Sequence, residues 1–376
     1  MQLFFTKIGN KFVKRNVCLH INRKGKMRRK FLTALSVGII LIFSACRKPV
    51  PVSLKAQWIR RAYASLQEGR FPRIRAVAWW NERFDESDLR INSSPQALEA
   101  YRQSVAPAFF AEEALFVRNR LVPPQAGMYH AAFPGFGGSE DSVRTSIITG
   151  FEQLAGKRIA WAYFSDNWYD EIGFPYEEVE TIHRAGRVPF IRMMPRSDIA
   201  EFEPDTVYTM QRIIDGVFDR QLLRWFTDAA STGYPLLVEF GTEVNGDWFP
   251  WNGLYNGGGR TDGYGDPAYP DGPERFRDAF RHLVELSRQA GATNITWFFH
   301  LDAQGEPEED WNAFEYYFPG DDYVDWVGVS VYGPITPDDE YVEFDRKLGA
   351  VYDRMCRMTT RPLAVLETGM TEWPAP

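Results

Sequence analysis

The sequence predicts a (β/α)8 barrel, and three observations carry the prediction. Eight short apolar runs of strand character recur along the body of the chain. Amphipathic segments of helical period separate most of them. Across residues 57–376 there is no internal repeat, low-complexity tract or composition break that would mark a second domain. Strands alternating with helices imply a parallel sheet with helices outside, and eight such units suit a closed barrel. The 376-residue chain is 44% hydrophobic, 25% charged and 15% aromatic, which excludes a disordered polymer.

The runs are Ile74–Trp80 (IRAVAWW), Met128–Phe133 (MYHAAF), Arg158–Phe164 (RIAWAYF), Val188–Met193 (VPFIRM), Pro235–Phe240 (PLLVEF), Asn294–His300 (NITWFFH), Val324–Tyr332 (VDWVGVSVY) and Pro362–Glu367 (PLAVLE). Each is rich in β-branched and aromatic residues and short enough for a strand buried on both faces. Helical patterns fall near 95–105, 141–154, 176–185, 210–230, 274–290, 309–317 and 341–357, with a further helix over Ser53–Gln67. Pro95 after Ser93-Ser94, and Pro273 after Asp271-Gly272, read as helix starts.

Residues 1–46 read as a leader, 47–56 as a linker and 57–376 as the barrel. Met27-Arg-Arg-Lys30 is a basic start, and Phe31–Phe43 is an apolar run too short to span a bilayer comfortably. Ser44, Ala45 and Cys46 follow, an arrangement that resembles a bacterial lipoprotein signal with Cys46 as the lipidated residue. Met27 is then a natural start, and an ordinary secretory signal is the alternative. Either reading predicts an exported body, tethered to a cell-envelope membrane through the lipid or secreted. Residues 1–48 hold 12 Lys and Arg and no acid, leaving 31 basic against 50 acidic groups in the remainder. A body that acidic argues against nucleic acid or an anionic lipid surface as partner. Three cysteines, Cys18, Cys46 and Cys356, exclude a disulfide scaffold and a cysteine-clustered zinc site. No metal and no cofactor is expected. The loop Asn256–Asp266 matches no EF-hand spacing.

In such a barrel chemistry gathers at the C-terminal ends of the strands. The fifth run leads into Glu243, and the eighth ends in Glu367, three strands away. Aromatic residues crowd both. One carboxyl to protonate a departing oxygen, another to attack a sugar carbon, and flat rings to bind pyranose faces are what glycoside hydrolysis needs. The substrate-binding candidates are Trp79, Trp80, His130, Arg192, Asn245, Trp248, Trp251, Trp297 and Tyr332. His300 and Asp302, on the same run as Trp297, are further candidates for the cleft wall.

The segment Thr242-Glu-Val-Asn-Gly-Asp-Trp-Phe-Pro-Trp251 resembles the acid/base signature of glycoside hydrolase family 26, retaining endo-β-glycanases that are chiefly β-1,4-mannanases. The resemblance implies Glu243 as acid/base, Glu367 as nucleophile and Tyr332 as the tyrosine bonded to it. It also implies Trp79 or Trp80 under the sugar at the cleavage point. Two residues depart from the pattern. The family usually has His directly before the acid/base, where Thr242 stands, and Arg three residues earlier, where Glu239 stands. In the family the two glutamates end strands four and seven. Here they end runs five and eight, and the segments before residue 106 resemble the family's last helix, strand and helix. A circularly permuted barrel follows, with a shortened reading frame as the alternative. The expected activity is hydrolysis of a β-linked polysaccharide, mannan first. β-1,3/1,4-Glucan or xylan is the alternative within enzymes, and a lipid-tethered glycan-binding protein that has lost turnover is the alternative outside them.

Overall fold

The computed structural model describes residues 53–84, 87–336 and 338–372. Eight parallel strands form the barrel: β1 (Ile74–Trp80), β2 (Met128–Phe133), β3 (Trp161–Asn167), β4 (Val188–Met194), β5 (Leu236–Phe240), β6 (Ile295–Asp302), β7 (Trp326–Tyr332) and β8 (Leu363–Gly369). Each pairs with its neighbours in sequence, and β1 closes the ring against β8 and β2. The registers Val77↔Val365 and Val77↔His130 put one β1 residue level with both partners. All eight runs read from the sequence are strands. The largest shift is in β3, which starts three residues late because Arg158–Ala160 still belong to the approach from the preceding helix.

The helices are α1 (Leu54–Gln67), α2 (Pro95–Val105), α3 (Thr145–Ala155), α4 (Tyr176–Arg184), α5 (Asp219–Ser231), α6 (Asp271–Gln289) and α7 (Phe344–Met358). Ser53 caps α1 and Ser94 caps α2, each side-chain oxygen accepting an N–H three residues on. α1 therefore begins inside the expected linker, and the barrel body starts at Ser53 rather than at 57. α6 begins two residues before Pro273. The expected helix 210–230 is broken at Gly216, whose φ of 73° ends the short helix Met210–Ile214 before α5 starts. Cys46 and the leader lie outside the described residues.

Strand parity sorts every side chain inward or outward. On β1, Trp79 points out and packs edge-on against Trp58 of α1 and Tyr101 of α2, while Trp80 points in, stacked on Phe133 at 4.0 Å. Deep in the barrel Tyr129, Trp161, Phe190, Phe298 and Trp326 pack ring to ring. Removing each such ring from water contributes about 1.5–3 kcal/mol. A hairpin that the sequence reading did not expect, Leu115–Val117 with Arg120–Val122, stoppers the N-terminal mouth. Leu121 N–H donates to Thr296 Oγ1 at 2.9 Å, and Trp326 Nε1 donates to Leu121 O at 3.1 Å. At the opposite mouth the strands end in polar residues. Among the described residues no helix is long and apolar enough to cross a membrane.

Candidate active site

The loop after β5 is bent sharply before it reaches Glu243. Gly241 and Glu243 both take left-handed backbone, with φ of 61° and 48°. A side chain on Gly241 would press on Phe276 and Trp251, so the turn needs glycine. Glutamate at positive φ is uncommon and costs of order 1–3 kcal/mol, held here by its surroundings. Those surroundings are named bonds: Val244 N–H to His300 O at 3.1 Å and Trp251 Nε1 to Thr242 O at 2.7 Å. Trp248 Nε1 then donates to Glu243 Oε2 at 2.7 Å. Its indole lies so close over Gly246 that a Cβ there would stand 2.1 Å from the ring.

Glu367 sits within β8, 4% exposed, and Tyr332 OH donates to its Oε2 at 2.8 Å. Arg192, on β4, reaches across the mouth to put Nη2 3.4 Å from Glu367 Oε1 and Nε 3.4 Å from Glu239 Oε1. The same guanidinium bonds Glu140 and lies over the Trp80 and Tyr163 rings. Glu239 is fully buried on β5. Tyr163 OH donates to its Oε1, and His300 Nδ1 lies 2.9 Å from its Oε2. His300 Nδ1 also stands 2.8 Å from Thr242 Oγ1, and its Nε2 2.9 Å from Ser330 Oγ. Thus His300 of β6 lies against Thr242, and Arg192 of β4 against Glu239.

The two glutamates are electrostatically unequal. Burial, then the charges of Glu367 and Asp302, push the Glu243 carboxyl well above the usual range, against smaller pulls from Ser330 and Arg192. Burial raises Glu367 too, but Arg192, His300 and the Tyr332 hydroxyl favour its charged form. Both carboxyls are thus shifted up, and of the two Glu367 is the one in ion-pair contact with Arg192. Burial opposes the charge on Glu239 as well, yet His300, Arg192 and Tyr163 together hold it below its ordinary value. Glu82, whose Oε2 accepts Trp80 Nε1 at 3.0 Å, is pushed up to about 7 by burial and by Glu140. Glu239, His300 and Glu367 offer ligand atoms within 4.8 Å of one another. Arg192 already lies against both of those carboxylates, so the cluster is an ion-pair network that disfavours a further cation.

Of the expected residues, Glu243, Glu367, Tyr332, Arg192, Trp80 and Trp248 meet at this mouth. Four substrate-binding expectations are corrected. Trp79 faces the helices, with Nε1 on Leu89 O. His130 is fully buried behind β2 between Tyr101 OH and Arg158 O, where burial lowers it to about 4. Trp251 is fully buried against Phe249. Trp297 packs outward on Phe226 and Phe280. Asn245 is near the mouth, but its amide is spent pinning the loop to β6, accepting from Asp302 N and donating to Asp302 O. Sequence reasoning missed Tyr163, Glu140, Ser330 and Glu82. The first three lie on β3, on the loop after β2 and on β7, and the inward parity of Tyr163 and Ser330 is the signal that finds them.

Residues 205–359 match the glycosyl hydrolase family 26 model. Endoglucanase H of Acetivibrio thermocellus is 25% identical over 232 residues, 60% of this chain but only 23% of that relative's length. Among solved structures, a β-mannanase from a symbiotic protist of the termite Reticulitermes speratus, complexed with gluco-manno-oligosaccharide, aligns at 14% identity and TM-score 0.43, covering 85% of this chain and 80% of its own. The GH26 domain of an endo-β-mannanase/endo-β-glucanase from Prevotella bryantii aligns at 14% identity and TM-score 0.44, covering 62% and 74%. The matched segment, 155 of the 376 residues, carries Glu243 and its loop and leaves Glu367 outside it.

Proposed function

We propose that the chain is a retaining endo-β-glycanase in which Glu367 is the nucleophile and Glu243 the acid/base. The observation that carries this reading is the carboxyl pair at one mouth: Glu243, bonded by the Trp248 indole, and Glu367, bonded by Tyr332 and ion-paired with Arg192. A Glu367 oxygen bonds to the anomeric carbon as the glycosidic bond breaks. The electron pair goes to the departing oxygen, which takes the Glu243 proton. Water then attacks the same carbon, gives its proton to Glu243, and Glu367 leaves as carboxylate. Trp80, stacked on Phe133 and carrying Arg192 over its ring, walls the cleavage point. Trp248 holds Glu243 in aim.

A β-1,4-mannan is the first substrate, following the family's usual activity. β-Glucan is the second reading, favoured by Thr242 and Glu239 in place of the mannan-typical pair and by the relative named as an endoglucanase. Reducing-end release from mannan, glucomannan, lichenan and xylan tests both, with mannan or lichenan expected to lead by at least tenfold. Binding without release from any of them overturns the hydrolase reading in favour of a glycan-binding protein. We also read the strand order as a circular permutation. Glu243 follows β5 and Glu367 ends β8, and β1 lies between β8 and β2, as a moved eighth strand requires. Export and lipidation at Cys46 rest on the leader sequence; acyl labelling in the cell-envelope fraction is the expected result, and a soluble, unlabelled product would overturn it.

A further inference from the structure

In a ring of eight, β4 and β5 stand opposite β8 and β1. The cleft therefore runs from Trp80 and Glu82 on one side to Trp248 and the loop after β4 on the other. That loop, residues 195–209, carries Phe202, the most exposed of the large hydrophobics at 64%. Its backbone is left-handed, with φ of 59°, a conformation an aromatic residue rarely takes. Its N–H donates to Trp248 O at 3.2 Å, so it sits directly beside the residue that aims Glu243.

The loop is built to hold this position. The Asp205 carboxylate accepts the N–H groups of Ser197, Val207 and Tyr208, and Arg212 Nη1 donates to Val207 O at 2.7 Å. Arg196 is buried, with Nε on Asn167 Oδ1 at 2.8 Å and its guanidinium over the Tyr169 and Phe249 rings. An ordered loop that spends backbone strain to keep a phenyl ring in water does not serve the core. Strained backbone clusters at active sites and ligand clamps, where the surroundings hold it in place. The acid/base must touch the departing oxygen, so what lies beyond Trp248 faces the leaving sugars.

We propose that Phe202 is a sugar-stacking platform for the leaving-group side of the chain, gripping a pyranose ring beyond the one released at the cleavage point. This rests on the hydrolase reading. It makes the enzyme selective for polymers over short substrates, because only a chain that extends past the scissile bond reaches the ring. Stacking of an apolar sugar face on a pre-placed aromatic ring carries little ordering cost.

The test compares wild type, Phe202→Ala and Phe202→Trp on the preferred polysaccharide of the panel and on an aryl β-glycoside with the same non-reducing sugars but no sugar leaving group. The expected result is a fall of roughly 5- to 10-fold in kcat/KM on the polymer for Phe202→Ala, no change on the aryl glycoside, and recovery in Phe202→Trp. An Ala variant equal to wild type on the polymer overturns the proposal, and so does an equal loss on both substrates. If wild type cleaves neither, the hydrolase reading fails by itself. Phe202 is then read by calorimetric binding of mannohexaose and cellohexaose: weaker binding by Phe202→Ala, restored by Trp, supports the platform, and unaltered or absent binding ends it.

Discussion

Replacing Glu367 by Ala is expected to lower kcat by about 10^4-fold or more, since the covalent intermediate can no longer form. The variant should fold. Its Tyr332 hydroxyl and Arg192 lose one partner, but Arg192 keeps Glu239 and Glu140. Azide, small enough to enter the space left by the side chain, should restore turnover on an activated aryl glycoside and yield a glycosyl azide of inverted configuration. A rate within tenfold of wild type places the nucleophile elsewhere. The substitution also removes the charge that, after burial, does most to hold the proton on Glu243. The alkaline limb of any residual activity should therefore move to lower pH.

Replacing Glu243 by Gln is expected to cost about 10^2–10^4-fold on polysaccharide, where the departing oxygen needs a proton. It should cost far less on a dinitrophenyl glycoside, whose leaving group departs unassisted. The same variant tests the electrostatics through stability. A carboxyl raised on folding favours the native state below its unfolded value, about 4.3, and that benefit disappears as pH rises through the folded value. Glu243 lies on the raised side. The Gln variant should therefore melt higher than wild type, by little near pH 4 and by progressively more toward pH 8. A Tm difference independent of pH would show that Glu243 is an ordinary solvated glutamate. The left-handed backbone at Glu243 and its burial beside Glu367 are strain accepted for function, which the neutral variant relieves in part.

The barrel was legible because every strand run is apolar on both faces, and that signal survives without partners. The two carboxylates at the mouth were legible because strand ends locate it. Which neighbours face the mouth was less so, and the reason is parity. Trp297 and His300 are three residues apart on one strand, so they cannot both point inward. The imidazole is inside, on Glu239 and Ser330, and the indole outside, on Phe226 and Phe280. Trp79 and Trp80 divide in the same way. One fixed inward residue per strand would have settled these from sequence. Trp251 and His130 needed the packing itself, since a tryptophan in a cleft loop and a tryptophan beneath it read alike. The hairpin Leu115–Val122 was missed because its turn, Arg118-Asn119, carries no glycine although both residues take positive φ. The contacts of His300 with Thr242, and of Arg192 with Glu239, run between strands, and no linear motif records them.

The central claim is that one mouth holds a nucleophile at 367 and a proton donor at 243. The most direct test is to incubate the wild-type protein with dinitrophenyl 2-deoxy-2-fluoro β-mannobioside and β-cellobioside and map the peptides by mass spectrometry. The account predicts a single glycosyl adduct on the peptide containing Glu367, absent when that residue is replaced. An adduct on a different carboxylate, or turnover of the parent glycoside to the inverted anomer with no adduct formed, contradicts it.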